Sequence, residues 1–281
     1  MSLDHLTHDA AAAPFTGTEA LERNDASRPA TLVSGKTMPY DEAWTLQRAC
    51  RTERAADRCR DLLLLIEHPS VYTLGRTTQD RHWPGADQLS RETGIPVIRT
   101  ERGGSITYHG PGQLVGYPIL RLTDYCAGPK AYVRRLEAVL IGTLAEWGIA
   151  AHRREGLPGV WVGGDRPSKI ASIGVRISQG VTSHGFALNV CPDLEPFSHI
   201  VPCGISGCRV TSMAALMNTT PDLQVVQQQI AAQFTAQFHL TWTETVALAR
   251  FAARMESPAS DVSPSSIHVM RHPPSKELPD D

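Results

Sequence analysis

Residues 62–75 read LLLLIEHPSVYTLG and indicate β-structure early in this 281-residue chain. Two short apolar runs are separated by turn-forming residues, and apolar runs of this length between turns are typical of strands. The first run, Leu62–Ile66, is the longest strongly apolar run of the chain, and it is far too short to span a bilayer. The segment therefore predicts two strands and gives no support to a membrane protein.

Further strand-like segments follow toward the C-terminus. They are separated by Gly and Pro, which commonly mark the turns between strands. The last two follow each other closely, as the two arms of a β-hairpin do. These segments are PVIRT (96–100), SITYH (105–109), QLVGYPILRL (113–122), KIASIGVRI (169–177) and VTSHGFALNV (181–190).

Three helices are predicted between the strands. The first begins at Asp41, a favourable N-cap residue, and runs to about Arg58. The second covers Pro129–Trp147, where apolar residues recur at spacings of three and four and Gly148 ends the helix. The third, Leu223–Phe238, is also amphipathic. Strands joined by short turns with a few long helices predict an α+β fold with a mixed, largely antiparallel sheet, because the regular βαβ alternation of a doubly wound fold is absent.

The chain is expected to form one domain. Residues 1–28 are small, polar and aperiodic, which predicts a flexible N-terminal arm, and they lack the basic start of a signal peptide. Residues 256–281 are rich in Pro, Ser and charge, which predicts a disordered C-terminal tail. No linker or internal repeat interrupts residues 29–255, which are expected to form the single catalytic domain.

Composition narrows the class of protein. The formal net charge is −2 and the charged fraction is 20%, so no overall basic excess indicates nucleic acid as a partner. The six cysteines are scattered, unlike those of a disulfide scaffold. These features predict a cytoplasmic protein with reduced thiols that binds neither nucleic acid nor a membrane.

The densest group of functional residue types is Arg102–Gln113, which reads RGGSITYHGPGQ. Several polar side chains lie among four glycines, and glycine allows a backbone to approach a ligand closely. A bulged hairpin turn explains the same pattern equally well. The segment is not a phosphate loop, because it matches neither GxxxxGK[ST] nor GxGxxG.

Cys203 lies between a proline and a glycine in PCGISGC, on a turn expected to lead into a helix near Thr211. A cysteine close to a helix N-terminus has its thiolate stabilised by the helix dipole. A buried structural thiol, a zinc ligand and a disulfide with Cys208 are the alternatives. The surrounding Cys and His spacing fits no common zinc site, so no metal is expected.

Two strand-like segments carry the remaining candidates. Lys169 begins the apolar KIASIGVRI strand, where a lysine near the core can lose its proton and act as a base. A lysine at a strand end that reaches to water is the ordinary alternative. His184 stands in HGFALN, where a buried, hydrogen-bonded core histidine is the simplest interpretation.

Taken together, the motifs RGGSITYHGPGQL, KIASIGVRI, HGFALNV and PCGISGCRVTSM, in this order, resemble the lipoyl (octanoyl) transferases. The resemblance extends from about Thr31 to Leu240 and implies a single domain of the biotin/lipoate–protein ligase type. It implies that Cys203 carries the acyl group and that Lys169 is its catalytic partner. The substrate-binding residues that it implies are Arg102, Gly103, Gly104, Ser105, Ile106, Thr107, Tyr108, His109, Ser172, Ile173, Gly174, Gly185, Phe186 and Ala187.

The resemblance also implies partners and a reaction. Octanoyl-acyl carrier protein would be the donor, and lipoyl-domain proteins such as glycine cleavage H protein and the E2 subunits of 2-oxoacid dehydrogenases would be the acceptors. No cofactor and no metal would be needed, because a thioester is exchanged for a thioester and then for an amide.

The sequence leaves three rival classes of protein to consider. An ATP-dependent lipoate–protein ligase of the same fold needs no nucleophilic cysteine, so Cys203 argues against it. A non-catalytic lipoyl-domain-binding protein would not need both Cys203 and Lys169. A Cys–Lys amidohydrolase would need a catalytic carboxylate, and the four motifs proper contain no acidic residue.

Docking of an acidic carrier protein is a further hypothesis. Arg51, Arg54 and Arg58 follow spacings of three and four on the first predicted helix and would share one face. An ordinary solvated face is the alternative.

Overall fold

The structure, a computed structural model, describes residues 27–83 and 85–256. Almost all of the predicted N-terminal arm and C-terminal tail lies outside these ranges. The described strands are β1 (Arg28–Thr37), β2 (Asp61–Glu67), β3 (Val71–Leu74), β4 (Val97–Arg99), β5 (Thr107–His109), β6 (Gln113–Ile119), β7 (Ala151–Arg154), β8 (Leu157–Val162), β9 (Ser168–Ser178), β10 (Val181–Asn189), β11 (Arg209–Val210) and β12 (Leu240–Ala247). The described helices are α1 (Tyr40–Ala55), α2 (Ala86–Thr93), α3 (Pro129–Ala145), α4 (Met213–Met217), α5 (Leu223–Phe238) and α6 (Leu248–Glu256).

Two sheets organise these elements. The larger has the strand order β12-β1-β2-β6-β10-β9-β8-β7, with β11 paired to β9, and the smaller has the order β4-β3-β5. The strands on either side of β10 run antiparallel to it, whereas β1 is parallel to both of its neighbours. This confirms the predicted α+β class with a mixed, largely antiparallel sheet.

The unbroken apolar run in β2 is explained by helices on both faces of the large sheet. Leu63 and Leu65 belong to a core shared with α3 and α5, whereas Leu62, Leu64 and Ile66 belong to a core shared with α1 and α6. A strand with water on one face would alternate polar and apolar residues, but a strand covered on both faces does not. The central position of β2 therefore follows from its composition.

The helix predictions were mostly accurate. The third predicted helix has the same bounds as α5, and the second differs from α3 only at its C-terminal end. The predicted cap of the first helix was wrong, because α1 starts at Tyr40 and is preceded by Pro39, which makes no side-chain cap. Since α1 ends at Ala55, Arg58 lies beyond the helix.

The three arginines of the docking hypothesis do not form a free face, so that hypothesis is contradicted. Arg54 is buried, and its Nε lies 2.6 Å from a carboxylate oxygen of Asp61. Arg58 Nη2 lies 2.7 Å from Glu53 Oε1, and Arg51 also has an acidic neighbour within the chain. The guanidinium groups that were expected to bind a partner protein therefore form ion pairs with carboxylates of the same chain.

A chain reduced to residues 27–256 is expected to keep its melting temperature and its turnover. The removed residues lack the apolar periodicity needed to join a core, whereas Arg28 already pairs with Leu240 in the large sheet and must be retained. Thermal unfolding and steady-state kinetics of the full and shortened chains test this. A large loss in either quantity would mean that a removed segment packs on the domain or covers its site.

Candidate active site

Cys203 and Lys169 are adjacent in space. Lys169 is buried near the start of β9, and its Nζ lies 3.1 Å from the Sγ atom of Cys203. The hydroxyl of Ser172, on the same strand, lies 3.6 Å from that sulfur. The short strand β11 brings the two segments together, because Arg209 and Val210 pair in parallel with Ser168 and Lys169. The lysine therefore does not reach out to water, which was the alternative interpretation of its position.

Cys203 is held in an unusual backbone conformation. It sits in a single 3-10 turn, Pro202–Gly204, with a φ of 58°, a left-handed value that is costly for a residue other than glycine. Its backbone N–H donates to the carbonyl of Ile106 over 3.0 Å, which fixes the turn against the residue just before β5. The helix expected near Thr211 is present as α4, which begins at Met213.

Neighbouring charge sets the state of the thiol. Burial alone would raise the pKa of Cys203, but the Lys169 ammonium, the Ser172 hydroxyl and the Arg102 guanidinium outweigh it and hold that pKa below its ordinary value. The other five cysteines have pKa values raised, chiefly by burial. Cys203 is therefore the thiol most inclined to ionise near neutral pH.

The segment around Arg102 forms one wall beside the thiol. Arg102 is buried and donates to the hydroxyl and the carbonyl of Thr73, and no carboxylate within residues 27–83 or 85–256 pairs with it. Gly103 donates from its N–H to the carbonyl of Val175 on β9 over 3.0 Å. At Gly174 a Cβ atom would come within 2.7 Å of the Gly103 carbonyl oxygen, so glycine is needed for this close approach. The segment thus packs against β9 and is more than a hairpin turn.

A cavity of about 300 Å³ extends from Cys203 and Lys169 into the domain. Its wall contains most of the residues implied by the family resemblance: Arg102, Gly103, Gly104, Ser105, Thr107, His109, Ser172, Ile173, Gly174, Gly185, Phe186 and Ala187. Much of the lining is apolar, as a hydrocarbon chain requires. Residues that sequence reasoning did not assign to it also line the cavity: Tyr40, Val115, Tyr117, Val133, Gly156, Leu157, Pro158, Val175, His184 and Ile205.

Ile106 and Tyr108 do not line the cavity, which corrects the expectation for these two residues. Both belong to a separate apolar cluster with Phe197, and the Tyr108 hydroxyl lies 3.0 Å from Ser70 Oγ. Successive residues of a strand point to opposite faces, so Thr107 and His109 face the cavity while their neighbours face away. Ile106 still contributes its carbonyl to the Cys203 turn.

Burial lowers the pKa values of the two histidines in the cavity wall. Burial, followed by the charges of His68 and Arg102, places the pKa of His109 well below its ordinary value. Burial, followed by the charge of Arg102, lowers the pKa of His184 to about 3. A lowered pKa makes an imidazole a weaker base, which argues against either histidine as a general base.

His82 is a buried residue near the thiol that sequence reasoning missed. Its Nδ1 lies 2.7 Å from the hydroxyl of Ser105, and its carbonyl accepts from the N–H of Val201. A Cβ atom at Gly204 would come within 2.9 Å of the imidazole. No pattern in the sequence pointed to His82, because its partners are remote along the chain.

The alternative roles for Cys203 find no geometric support in the described parts of the chain. Cys203 and Cys208 are both free thiols. Within residues 27–83 and 85–256, no three His, Cys, Asp or Glu side chains come together closely enough to hold a metal ion. None of the helices in these ranges is both long enough and apolar enough to cross a membrane.

Comparisons with known proteins identify the family of this chain. The lipoyl protein ligase A/B catalytic domain family matches residues 39–235. An octanoyltransferase of Synechococcus elongatus is 47% identical over 218 residues, which are 76% of this chain and 90% of that protein. An octanoyltransferase of Salinispora tropica is 50% identical over 188 residues, which are 66% of this chain and 84% of that protein.

Solved structures support the fold alone. A bipartite lipoate protein ligase from Thermoplasma acidophilum, described with its E2 lipoyl domain, superimposes with a TM-score of 0.60 at 16% identity. The match covers 81% of this chain and 92% of that one. The biotin/lipoate–protein ligase type of domain expected from the sequence is therefore confirmed.

Proposed function

This chain belongs to the lipoyl protein ligase A/B catalytic domain family, and on that premise we propose that it transfers octanoyl from octanoyl-acyl carrier protein, through a thioester on Cys203, to a lysine of lipoyl-domain proteins. It is an acyltransferase of the octanoyltransferase type. The observation that carries the proposal is the 3.1 Å contact between Lys169 Nζ and Cys203 Sγ at the head of a largely apolar cavity.

The first half-reaction is thioester exchange. The Cys203 thiolate, stabilised by the Lys169 ammonium, attacks the carbonyl carbon of the donor thioester. The bond from that carbon to the donor sulfur breaks, and the donor thiolate takes a proton from Lys169. One thioester replaces another, so the step costs little free energy and leaves octanoyl on Cys203.

The second half-reaction forms the amide. The acceptor lysine attacks the acyl carbon on Cys203 as its neutral amine, and Lys169, now neutral, accepts the one proton that this nitrogen loses as the amide forms. The carbon–sulfur bond breaks, and the thiolate is restored beside the Lys169 ammonium. An amide is more stable than a thioester, so this step drives the cycle without ATP or a metal.

The oxyanion of each tetrahedral intermediate needs hydrogen-bond donors that do not already bond to another acceptor. The N–H groups of Cys203, Gly204 and Ile205 donate to carbonyls of Ile106, Val201 and Pro202. The Ser172 hydroxyl, 3.6 Å from the sulfur, is the better-placed donor, together with the Lys169 ammonium.

Partners and location follow from the same chemistry. The acceptors we propose are lipoyl-domain proteins, including glycine cleavage H protein and the E2 subunits of 2-oxoacid dehydrogenases. The structural relative from Thermoplasma acidophilum was itself described with an E2 lipoyl domain. A donor held on acyl carrier protein places the reaction in the cytoplasm.

Purified enzyme incubated with octanoyl-acyl carrier protein and a lipoyl-domain protein should octanoylate the acceptor without ATP. Without acceptor, the intact mass of the enzyme should rise by one octanoyl group. The discriminating arm replaces the carrier thioester by free octanoate with ATP and Mg²⁺. Transfer only in that arm would assign the chain to the ATP-dependent ligases instead.

A further inference from the structure

Trp161 links the catalytic lysine to an arginine outside the cavity. The Lys169 ammonium lies 5.2 Å from the centre of the Trp161 ring, and the Arg154 guanidinium lies 5.1 Å from it. Since both contact the same buried ring, the two cations are within roughly 10 Å of each other, at cation–π distance from Trp161. Arg154 is exposed, so it presents a positive group to solvent close to the reactive thiol.

The strand geometry explains why Arg154 points toward the site. Val160 and Val162 on β8 pack into the core under α3, so Trp161 between them faces the opposite side of the sheet. Arg153, one residue before Arg154 on β7, bonds to Glu137 and to the carbonyl of Arg134, both on α3. The two neighbouring arginines therefore point to opposite faces, and only Arg154 is on the face of the thiol.

The guanidinium of Arg154 keeps its hydrogen-bond donors available. Among residues 27–83 and 85–256, no carboxylate forms an ion pair with it and no acceptor bonds to it. Glu155 and Asp165 on the adjoining turns are exposed and offset part of the local charge, whereas Arg166 and Arg209 are exposed and add to it. In these turns and strand ends the exposed arginines thus outnumber the exposed carboxylates.

Cys208 also lies next to the cavity wall, because its backbone N–H donates to the carbonyl of Ile205, which lines the cavity. Burial and the charge of Cys203 raise the pKa of Cys208 to about 11, while the charges of Lys169 and Arg154 act in the opposite direction. Arg154 pairs with Leu157 between β7 and β8, and Leu157 lines the cavity, so Arg154 lies beside the cavity wall.

We propose that Arg154, stacked on Trp161, binds the phosphate of the phosphopantetheine arm on which the donor carries its acyl group. This inference rests on the proposed function, because it concerns the donor of that reaction. Acyl carriers hold the acyl group at the thiol end of this arm, and the other end is a phosphodiester. When the thioester is at Cys203 and the acyl chain fills the cavity, the arm must leave through the opening. A guanidinium matches a phosphate with two parallel N–H bonds.

Two soluble donors that differ only in the phosphate test the proposal. The probes are octanoyl-phosphopantetheine and octanoyl-pantetheine, and the readout is the second-order rate of Cys203 acylation by intact mass, without any acceptor. Wild-type enzyme should prefer the phosphorylated donor by roughly tenfold, and the preference should shrink as ionic strength rises. Arg154→Gln should abolish the preference, and Arg154→Lys should keep part of it.

Arg153→Ala is the matched control, because it removes an arginine from the same strand on the other face. It should keep the wild-type preference, and since the preference is a ratio of two donors, any loss of stability cancels. An equal preference in wild type and Arg154→Gln, with Cys203 still acylated, would overturn the phosphate site alone. If neither soluble donor acylates wild-type Cys203 while octanoyl-acyl carrier protein does, the enzyme does not recognise the arm by itself and the phosphate site is rejected. If octanoyl-acyl carrier protein also fails to acylate Cys203, the proposed function is rejected as well.

Discussion

Cys203→Ala is expected to lower octanoyl transfer by at least roughly a thousandfold, because it removes the nucleophile on which both half-reactions depend. Cys203 is the thiol beside the Lys169 ammonium, and the only cysteine whose pKa lies below its ordinary value. Intact mass of the variant should show no octanoyl adduct with octanoyl-acyl carrier protein. Peptide mapping of the wild-type enzyme should place the adduct on Cys203.

Cys208→Ala provides the matched control for this experiment. Cys208 bonds through its N–H to Ile205 of the cavity wall but has a raised pKa, so its removal should leave both adduct and turnover close to wild type. The assignment would be wrong if Cys203→Ala remained active or if the adduct mapped to Cys208 or Cys191.

Lys169→Ala should raise the pH at which Cys203 is alkylated. Burial favours the neutral thiol, and Lys169 is the largest influence opposing it, so loss of the ammonium moves the pKa of Cys203 upward. Iodoacetamide rates measured against pH should therefore follow a curve displaced to higher pH. Lys169→Arg keeps the positive charge, and its curve should stay close to that of the wild type.

Transfer to the acceptor separates the two roles of Lys169. Lys169→Ala should slow single-turnover transfer from the acyl-enzyme by roughly a hundred- to ten-thousandfold, the range typical of a lost acid/base group. Lys169→Arg should slow it too, because arginine does not give up its proton near neutral pH. Wild-type transfer by Lys169→Arg would reduce Lys169 to an electrostatic neighbour and leave the base to be found elsewhere.

Local patterns in the sequence predicted the elements that carry strong periodicity. The bounds of α5 and the continuous apolar run of β2 are examples, because each is determined by the residues within it. The edge strand β7 was not predicted, since its AHRR sequence is mostly exposed and becomes a strand only by pairing with β8. Strand β12 was missed for a similar reason, because its pairing with β1 joins distant parts of the chain.

The residues of the candidate site could be predicted only where they belong to a motif that is continuous in the sequence. Cys203 and Lys169 each stand in a recognisable segment, but the two residues are 34 positions apart in the sequence. Neither segment by itself indicates that Lys169 Nζ lies 3.1 Å from Cys203 Sγ. Tyr40 from α1 and Tyr117 from β6 reach the cavity through the packing of the helix on the sheet. Ile106 and Tyr108 were wrongly expected to line the cavity because every residue of the segment was assigned to the cavity wall. Successive residues of a strand face opposite sides, so only alternate residues can line the cavity.

The position of β1 between β12 and β2 has a consequence for how the protein is made. Among the described strands, β1 is synthesised before the others and can pair with β2 early, but the described strand that pairs with its other edge, β12, is synthesised last. An unpaired strand edge is a template for association with other chains. A message truncated before Leu240 would therefore yield a protein with Cys203 and Lys169 intact that nevertheless aggregates.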